Sequence, residues 1–299
     1  MENHWAKEYF KYDPSLAQSE RGKLYIVNHN QKVDEIDLAM QYGDIRKLCR
    51  MITITEHSPK SKMADKHSIS TSVELNDFCK ARQCLKCRKS DGAEPVCPYC
   101  FAQSINNARP TVRYATARNA MILWQNEIPV SVWEEVWKNT FLSWNQPDDR
   151  IASLGDVRTV IEAENYIRME MAITEMIHTE WSKNWRIWLQ AFRNLGKPKN
   201  SRYVHSSLYL NVFDPIPEAM IPYVDFRFTV CTPEWLEQHP EIVANCCTLT
   251  EKHRQCRRDC NDCYSRHPEQ CAFDRVEVVR GYKRPTGTTF ARGSNSGRI

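Results

Sequence analysis

The chain has 299 residues, 41% of them hydrophobic and 26% charged, which supplies enough apolar material for a sizeable core and argues against wholesale disorder. No stretch approaches the ~18 to 20 apolar residues of a membrane-spanning helix, and the N-terminus lacks the basic start and apolar run of a secretory signal. We therefore expect a cytoplasmic protein without a membrane partner. The formal net charge of +4 is compatible with a nucleic-acid partner but does not require one.

The first half of the chain is predicted to begin with an extended arm at 1–22 and to continue with strands and helices. The pattern predicts strands at 23–28 and 67–73, the second of which is rich in β-branched residues. Apolar residues at helical spacing predict helices at 37–51, 111–126 and 131–143. In the last of these, four aromatic residues recur at helical intervals, which is typical of a face packed against the core. They are Trp133, Trp137, Phe141 and Trp144.

The second half alternates between predicted strands and helices. We expect strands at 150–154, 185–189, 203–208, 226–230 and 274–279, with a long helix at 160–180, a short one ending at Gly196 and a helical stretch near 233–244. Such alternation indicates an α/β fold with a parallel sheet, either a partial (β/α) barrel or an open wound sheet. We divide the chain into an N-terminal extension (1–60), an α/β partial-barrel domain (61–245), a Cys-rich C-terminal metal-binding segment with the last strand (246–283) and a disordered basic tail (284–299).

The cysteines are grouped. Nine of the 13 fall into two windows, 79–100 and 256–271, and grouped thiols in a reducing compartment indicate metal or redox chemistry more often than disulfides. The other four are expected to be buried small hydrophobes or to lie near the second window. They are Cys49, Cys231, Cys246 and Cys247.

The first window has the spacing Cys79-x4-Cys84-x2-Cys87-x9-Cys97-x2-Cys100. A C-x-x-C pair directs two thiolates at one metal, and two pairs supply the four soft ligands of tetrahedral zinc or of an iron–sulfur cluster. Zinc would need only the two pairs. A fifth cysteine, the preceding strand and the helical region that follows favour iron, because a barrel carries its reactive loops after its strands.

Several short motifs resemble a phage protein family called the gene product eighty-eight family. They are Ser61-Lys62-Met63, Ser68-Ile69-Ser70-Thr71-Ser72, Asn76 with Cys79, Cys97-Pro98-Tyr99-Cys100-Phe101-Ala102, Arg118-Asn119, Gly155-Asp156, and Cys256 with Cys260 and Cys263. The resemblance covers residues 60–282 and implies a phage-encoded protein acting in the host cytoplasm. It implies no particular activity.

The same window is similar, more loosely, to radical S-adenosylmethionine enzymes. Their common C-x3-C-x2-C spacing is absent here, and Cys87, Cys97 and Cys100 resemble instead the longer spacing of the elongator-type acetyltransferase branch. The resemblance implies that these three cysteines bind a [4Fe–4S] cluster, that Tyr99 packs beside it, and that Gly155-Asp156 stands where the family has its methionine-binding turn. That turn normally reads Gly-Gly-Glu, which this chain lacks, as it lacks the family's second glycine motif.

The second window, Cys256-x3-Cys260-x2-Cys263-x7-Cys271, lies too near the end of the chain for a barrel to follow it. We expect these four cysteines to hold structural zinc or an auxiliary iron–sulfur cluster, with zinc favoured.

Other candidate ligand-binding residues are basic or hydroxylic. Arg109, Arg113 and Arg118 could bind an anionic ligand or form a solvated helix face, and Ser206 could face a ligand at the barrel mouth. Basic residues within the first window would stabilise a negative cluster or contact phosphates. Nothing identifies a substrate, whether a small molecule or a macromolecule.

Two hypotheses remain open. In the first, the chain is a radical-type [4Fe–4S] enzyme that uses S-adenosylmethionine. In the second, it is a zinc-stabilised protein without catalysis that binds nucleic acid or a host partner. Its nine glycines form no glycine-rich phosphate-binding motif, so nucleotide binding of that kind has no support.

Overall fold

The computed structural model describes residues 10–56, 66–71, 96, 109–143, 148–151, 156–245, 247–249 and 274–278. Its strands are β1 (Thr55–Glu56), β2 (Lys66–Ile69), β3 (Asp148–Ile151), β4 (Ile177–Ser182), β5 (Ser201–Ser206), β6 (Val224–Cys231), β7 (Cys247–Leu249) and β8 (Arg275–Val278). Its helices are α1 (Glu20–Gln41), α2 (Ile45–Met51), α3 (Pro110–Leu123), α4 (Val130–Trp133 and Asn139–Ser143 flanking the π-helical turn Glu134–Lys138), α5 (Val160–Ala172), α6 (Trp185–Leu195), α7 (Pro233–Gln238) and α8 (Pro240–Asn245). Short 3₁₀ helices occupy Pro14–Leu16 and Glu218–Tyr223.

These strands form one sheet in the order β1-β2-β3-β4-β5-β6-β8-β7. Strands β2 to β6 are neighbours in chain order and pair in parallel, as do β6 with β8 and β8 with β7, whereas β1 is antiparallel at the edge. A doubly wound sheet reverses its strand order at a switch point, and β2 to β6 do not. Of the two arrangements that the sequence left open, the partial barrel is therefore the one observed.

Side-chain contacts across the sheet show that it curls. Trp181 on β4 and Phe228 on β6 meet edge to face, with ring centroids 4.8 Å apart, although β5 lies between their strands. Strands two apart are separated by roughly 9 to 10 Å in a flat sheet, so these side chains lean toward each other on the inside of a curve. Burial raises the pKa of Glu277 on β8, and the charge of Arg150 on β3 is near enough to oppose that effect, although three strands lie between them in the sheet order. Strands β2 to β6 and β8 thus form a half-barrel, and we call the side carrying Arg150, Trp181 and Phe228 the concave face.

The helices pack on the convex face of the sheet. Trp188 and Phe192 of α6 contact Tyr203 of β5, with ring centroids 5.9 and 5.8 Å apart, and Tyr166 of α5 stacks on Trp188. Helix α6 ends at Gly196, whose φ of +81° is disfavoured for residues with a Cβ.

The N-terminal helices belong to the same core. Helix α1 buries positions three or four residues apart, namely Ile26, His29, Val33, Ile36 and Ala39, and this spacing presents one face of a helix. Its apolar residues join Phe10 and the apolar residues of α3 and α5 in one cluster.

Three sequence predictions of secondary structure were wrong. Residues 23–28, predicted as a strand, lie in α1, because the apolar run continues into the helical spacing that ends at Ala39. The predicted helix 160–180 ends at Ala172, and its last part forms β4, whose polar residues His178 and Glu180 are buried. The predicted strand 185–189 is the start of α6, in which Trp188, Leu189, Ala191 and Phe192 are buried at helical spacing.

The predicted helix 37–51 is interrupted at 42–44, so its first part is the end of α1 and its second part is α2. The other predicted elements that lie within the described residues agree with the structure to within a few residues. The strands predicted at 67–73, 150–154, 203–208, 226–230 and 274–279 correspond to β2, β3, β5, β6 and β8. The aromatic face of α4 is packed as expected, with Trp133 and Phe141 buried and Trp137 against the core; Trp144 lies outside the described residues. Among the described helices, none combines the length and the apolar character needed to cross a membrane.

Candidate functional site at the carboxyl edge of the sheet

The carboxyl ends of β2 to β6 meet at one edge of the half-barrel, which we call the carboxyl edge. The chain leaves β2 through Ser70 and Thr71, which precede the first cysteine window in the sequence. Asn119 of α3 fixes this exit, because its amide Nδ2 donates to the carbonyl oxygens of Ser70 (3.0 Å) and Thr53 (2.8 Å).

Glu162 of α5 binds the same exit from the other side. Its carboxylate accepts hydrogen bonds from the Thr71 hydroxyl, from Trp124 Nε1 (2.6 Å) and from the backbone N–H of Arg158 (2.7 Å). Burial raises the pKa of Glu162 to about 7, although these three donors act in the opposite direction. This fully buried carboxyl group therefore connects β2, α3 and the start of α5 at the carboxyl edge.

Asp156, predicted as a cofactor-binding residue, lies between the exits of β3 and β4. Its Oδ1 accepts from the Ser182 hydroxyl (2.5 Å) and the Val157 N–H (2.9 Å), and its Oδ2 accepts from the Lys183 N–H (2.7 Å). Helix α5 is capped by Thr159, whose hydroxyl accepts from the Glu162 N–H at 3.0 Å. Asp156 thus lies at the carboxyl edge, and its hydrogen bonds join the loops that follow β3 and β4. Gly155 lies outside the described residues.

Ser206, the other described candidate, is buried at the end of β5 in register with Phe228 of the concave face. The loop that follows, 207–214, is held by its own polar groups. Ser207 Oγ accepts from the Asp214 N–H (2.8 Å), and the Leu208 N–H donates to the Asp214 carboxylate (2.7 Å). Asn211, at a φ of +62°, accepts from the Thr232 N–H at 2.8 Å. The loop is therefore a fixed surface beside the mouth of the half-barrel.

Val96 contacts this loop and immediately precedes Cys97 in the sequence. Its backbone N–H donates to the carbonyl oxygen of Leu208 at 3.0 Å. Its side chain is buried with Leu210 against Val230, near the end of β6. Between residues 72 and 108 the structure describes Val96 alone, and this residue lies at the carboxyl edge.

The concave face is aromatic and carries charge. The Arg150 guanidinium lies 4.6 Å from the centre of the Trp181 ring, and the Arg275 guanidinium 4.3 Å from that of Phe226, distances at which a cation is attracted to a ring. Burial raises the pKa of Glu277, the acid of this face, while Arg150 opposes that effect. No described group accepts a hydrogen bond from the buried Trp181 Nε1.

All eight predicted metal ligands and Tyr99 lie outside the described residues. The cysteines are Cys84, Cys87, Cys97, Cys100, Cys256, Cys260, Cys263 and Cys271. Within the part of the chain that the structure describes, no group of three or more His, Cys, Asp or Glu residues is placed to hold a metal ion. Cys49 and Cys231 are buried as expected, and burial raises the pKa of each thiol to about 12.

Sequence reasoning missed Glu162, Trp181 and Arg150. Glu162 stands in the first turn of a helix, where an acidic residue is ordinary, and nothing in the local pattern indicates its distant partners. Trp181 directly follows the predicted helix 160–180, which in fact ends at Ala172, so its position on the concave face was not foreseeable.

Comparisons with protein-family profiles, with curated proteins and with solved structures find no match to this chain.

Proposed function

We propose that the chain is a radical-type enzyme in which Cys87, Cys97 and Cys100 hold a [4Fe–4S] cluster at the carboxyl edge of the half-barrel. The observation that carries the proposal is the position of Val96. This residue immediately precedes Cys97 and is packed against the loop after β5.

The topology supports this location. In parallel (β/α) barrels the reactive groups lie at the carboxyl ends of the strands. The chain leaves β2 at that edge through Thr71, and Asn119 of α3 bonds to Ser70 there. The whole first window lies between these two points in the sequence.

The donor set fits an iron–sulfur cluster, since such clusters are held by thiolates. When bound, the cluster would supply an electron for the reductive cleavage of S-adenosylmethionine, as the resemblance to radical enzymes implies. The described residues would contribute the surroundings: Glu162 and Asp156 hold the strand exits, and the rings of Trp181 and Phe228 form an apolar wall on the concave face. The second window would hold structural zinc or an auxiliary cluster.

Cysteine substitutions test the proposal. Cys97→Ala and Cys100→Ala should each remove about four iron per chain, with the share of the absorbance near ~400 nm that the first cluster contributes, from the anaerobically purified protein. Cys49→Ala removes one buried thiol outside the windows and should retain them. Cleavage of S-adenosylmethionine should follow the same pattern. Stoichiometric zinc without that absorbance would overturn the enzyme proposal in favour of the zinc-stabilised alternative.

The docking of Val96 can be tested without changing a thiol. Leu210→Asp places a charge where Val96 and Val230 pack, and should lower the iron content because the contact that positions the window is lost. Val212→Asp, two residues away and exposed, is the matched control and should keep its iron. Equal iron in both variants would show that the contact does not position the cluster.

A further inference from the structure

Two tyrosines, a histidine and two arginines gather where α1 meets α3, and we call them the aromatic–arginine cluster: Tyr12, His29, Arg113, Tyr114 and Arg118. The three rings are in mutual contact, with centroids 5.1 Å apart for Tyr12 with His29 and with Tyr114, and 4.8 Å apart for the stacked pair His29 and Tyr114. The Arg113 guanidinium lies 5.2 and 5.5 Å from the centres of the two tyrosine rings.

His29 orients Arg118 without neutralising it. The carbonyl oxygen of Phe10, 2.6 Å from His29 Nε2, can only accept, so Nε2 carries the ring hydrogen. Nδ1 then accepts from Arg118 Nη1 at 3.2 Å. Burial lowers the pKa of His29 to about 4, and both arginines act in the same direction. The imidazole is therefore neutral near pH 7, and the Arg118 guanidinium keeps its full charge.

The positive charge of the cluster has no acidic partner among the described residues. The ion pairs found there do not include Arg113 or Arg118, and the Arg113 Nε is buried without an acceptor. A partly buried arginine is normally paired, because removing its charge from water is costly. Both side chains remain partly exposed, so a solute can reach them.

The surroundings add to this positive potential. Helix α3 is 14 residues long, and Arg109 at its N-cap makes no side-chain cap hydrogen bond. Its first turn carries the positive end of the helix dipole. Arg118 is next to Asn119, which bonds to Ser70 at the end of β2. The cluster therefore adjoins the carboxyl edge of the half-barrel.

We propose that the aromatic–arginine cluster binds a phosphate group, carried either by a small molecule or by a nucleic-acid strand. Guanidinium groups offer rigid forks of N–H donors that match the oxygens of phosphate. A small-molecule phosphate monoester carries between about one and a half and two negative charges near pH 7, which balances two arginines better than the single charge of a carboxylate does. On a nucleic-acid strand each phosphodiester carries one charge, so two successive phosphates would balance the two arginines.

The test uses the full-length protein as purified and measures binding of inorganic phosphate by calorimetry at constant ionic strength. Arg113→Gln and Arg118→Gln should each weaken binding at least tenfold. Arg21→Gln is the matched control, since Arg21 also lies over a tyrosine, 5.7 Å from the Tyr25 ring, on the exposed part of α1. The circular dichroism spectrum of each variant shows whether it is folded, so that a lost phosphate site can be told from a lost fold. Arg118→Lys, which keeps the positive charge, is a further control for folding.

A competition experiment identifies the source of the phosphate group. If a single-stranded oligonucleotide competes with inorganic phosphate, the ligand is a nucleic-acid strand; if it does not compete, the ligand is a small molecule. Either result supports the site if Arg113→Gln and Arg118→Gln lose phosphate binding and Arg21→Gln keeps it. The proposal is overturned if wild-type protein does not bind phosphate, if acetate binds as tightly, or if folded Arg113→Gln and Arg118→Gln bind phosphate normally.

Discussion

Replacing Glu162 with glutamine should abolish a pH dependence of stability that the wild-type chain owes to this carboxyl group. Glutamine has the same shape, and its amide oxygen can still accept from Trp124 Nε1 and the Arg158 N–H, while its NH₂ can donate to the Thr71 hydroxyl. The substitution therefore removes the titration and keeps the contacts that join β2, α3 and α5.

The sign and size follow from the two pKa values. Burial raises the pKa of Glu162 from 4.5 to about 7 in the folded protein. Between these values the folded protein holds a proton that the unfolded chain has released, so stability falls as pH rises through that window, by about 1.4 kcal/mol per pH unit. From pH 5 to pH 8 the loss from this group amounts to about 2.5 kcal/mol, and it levels off above pH 7.

Urea unfolding followed by tryptophan fluorescence at pH 5, 6, 7 and 8 measures this loss. The quantity to compare is the free energy of unfolding of wild type minus that of Glu162→Gln. Contributions from Glu170, Glu180 and Glu277, whose pKa values are also raised by burial, cancel in that difference. Glu175→Gln is the control, because Lys138 lowers the pKa of this exposed carboxylate and its difference from wild type should not vary over this range. A Glu162 difference that stays constant to within about 0.5 kcal/mol from pH 5 to 8 would refute the reasoning.

Three further predictions concern other buried groups. Asp156→Asn should lower the free energy of unfolding in urea by about 1 to 3 kcal/mol, because the new amide NH₂ faces a hydrogen-bond donor. Asp13→Asn, at an exposed helix cap, is the control and should lower it by less. Equal losses in the two variants would contradict the hydrogen bonds described for Asp156. Cys49 and Cys231 should not react with iodoacetamide at pH 8 in the native protein, because burial raises the pKa of both thiols, and they should react after unfolding. Mass spectrometry of the labelled peptides measures this. Labelling of either thiol in the native protein would contradict the prediction. Glu170→Gln should be about as stable as wild type in urea unfolding at pH 6, because burial and the neighbouring Glu180 raise the pKa of Glu170, so that its neutral carboxyl group donates to Glu180 and a glutamine NH₂ can donate in its place. A loss above about 2 kcal/mol would contradict this.

Much of the fold could be predicted because its signals are local. Strands β2, β5 and β6 stand out as short β-branched or aromatic runs separated from helical spacing, and their alternation with helices indicated a parallel sheet. The order of the strands was not readable, because a partial barrel and a wound sheet share the same alternation.

The errors have a common physical cause. Strand β4 is buried on both faces, so it shows no alternation of polar and apolar residues, and its buried His178 and Glu180 made it look like the continuation of a polar helix. His178 is compensated by Asp149 on the neighbouring β3, and Glu180 by Ser201 on β5. Because these hydrogen-bond partners are distant in the chain, a short stretch of sequence around β4 does not indicate that its polar residues are buried.

Some residues of the candidate site could be predicted from the sequence and others could not. The resemblance to radical enzymes implied that Asp156 belongs to a cofactor-binding turn, and the predicted strand put Ser206 at the barrel mouth. In the structure Asp156 lies between the exits of β3 and β4, and Ser206 lies at the end of β5. Glu162, Arg150 and Trp181 depend on how the sheet curls and which helix covers it, so their roles came from the structure alone.

The content of iron, acid-labile sulfide and zinc in anaerobically purified protein tests the central proposal most directly. A [4Fe–4S] cluster in the first window predicts about four iron and four sulfide per chain with absorbance near ~400 nm, together with about one zinc, or about four further iron and sulfide, in the second window. A loss of about four iron and four sulfide in Cys97→Ala would support the proposal. Zinc in both windows, with neither iron nor sulfide, would contradict it.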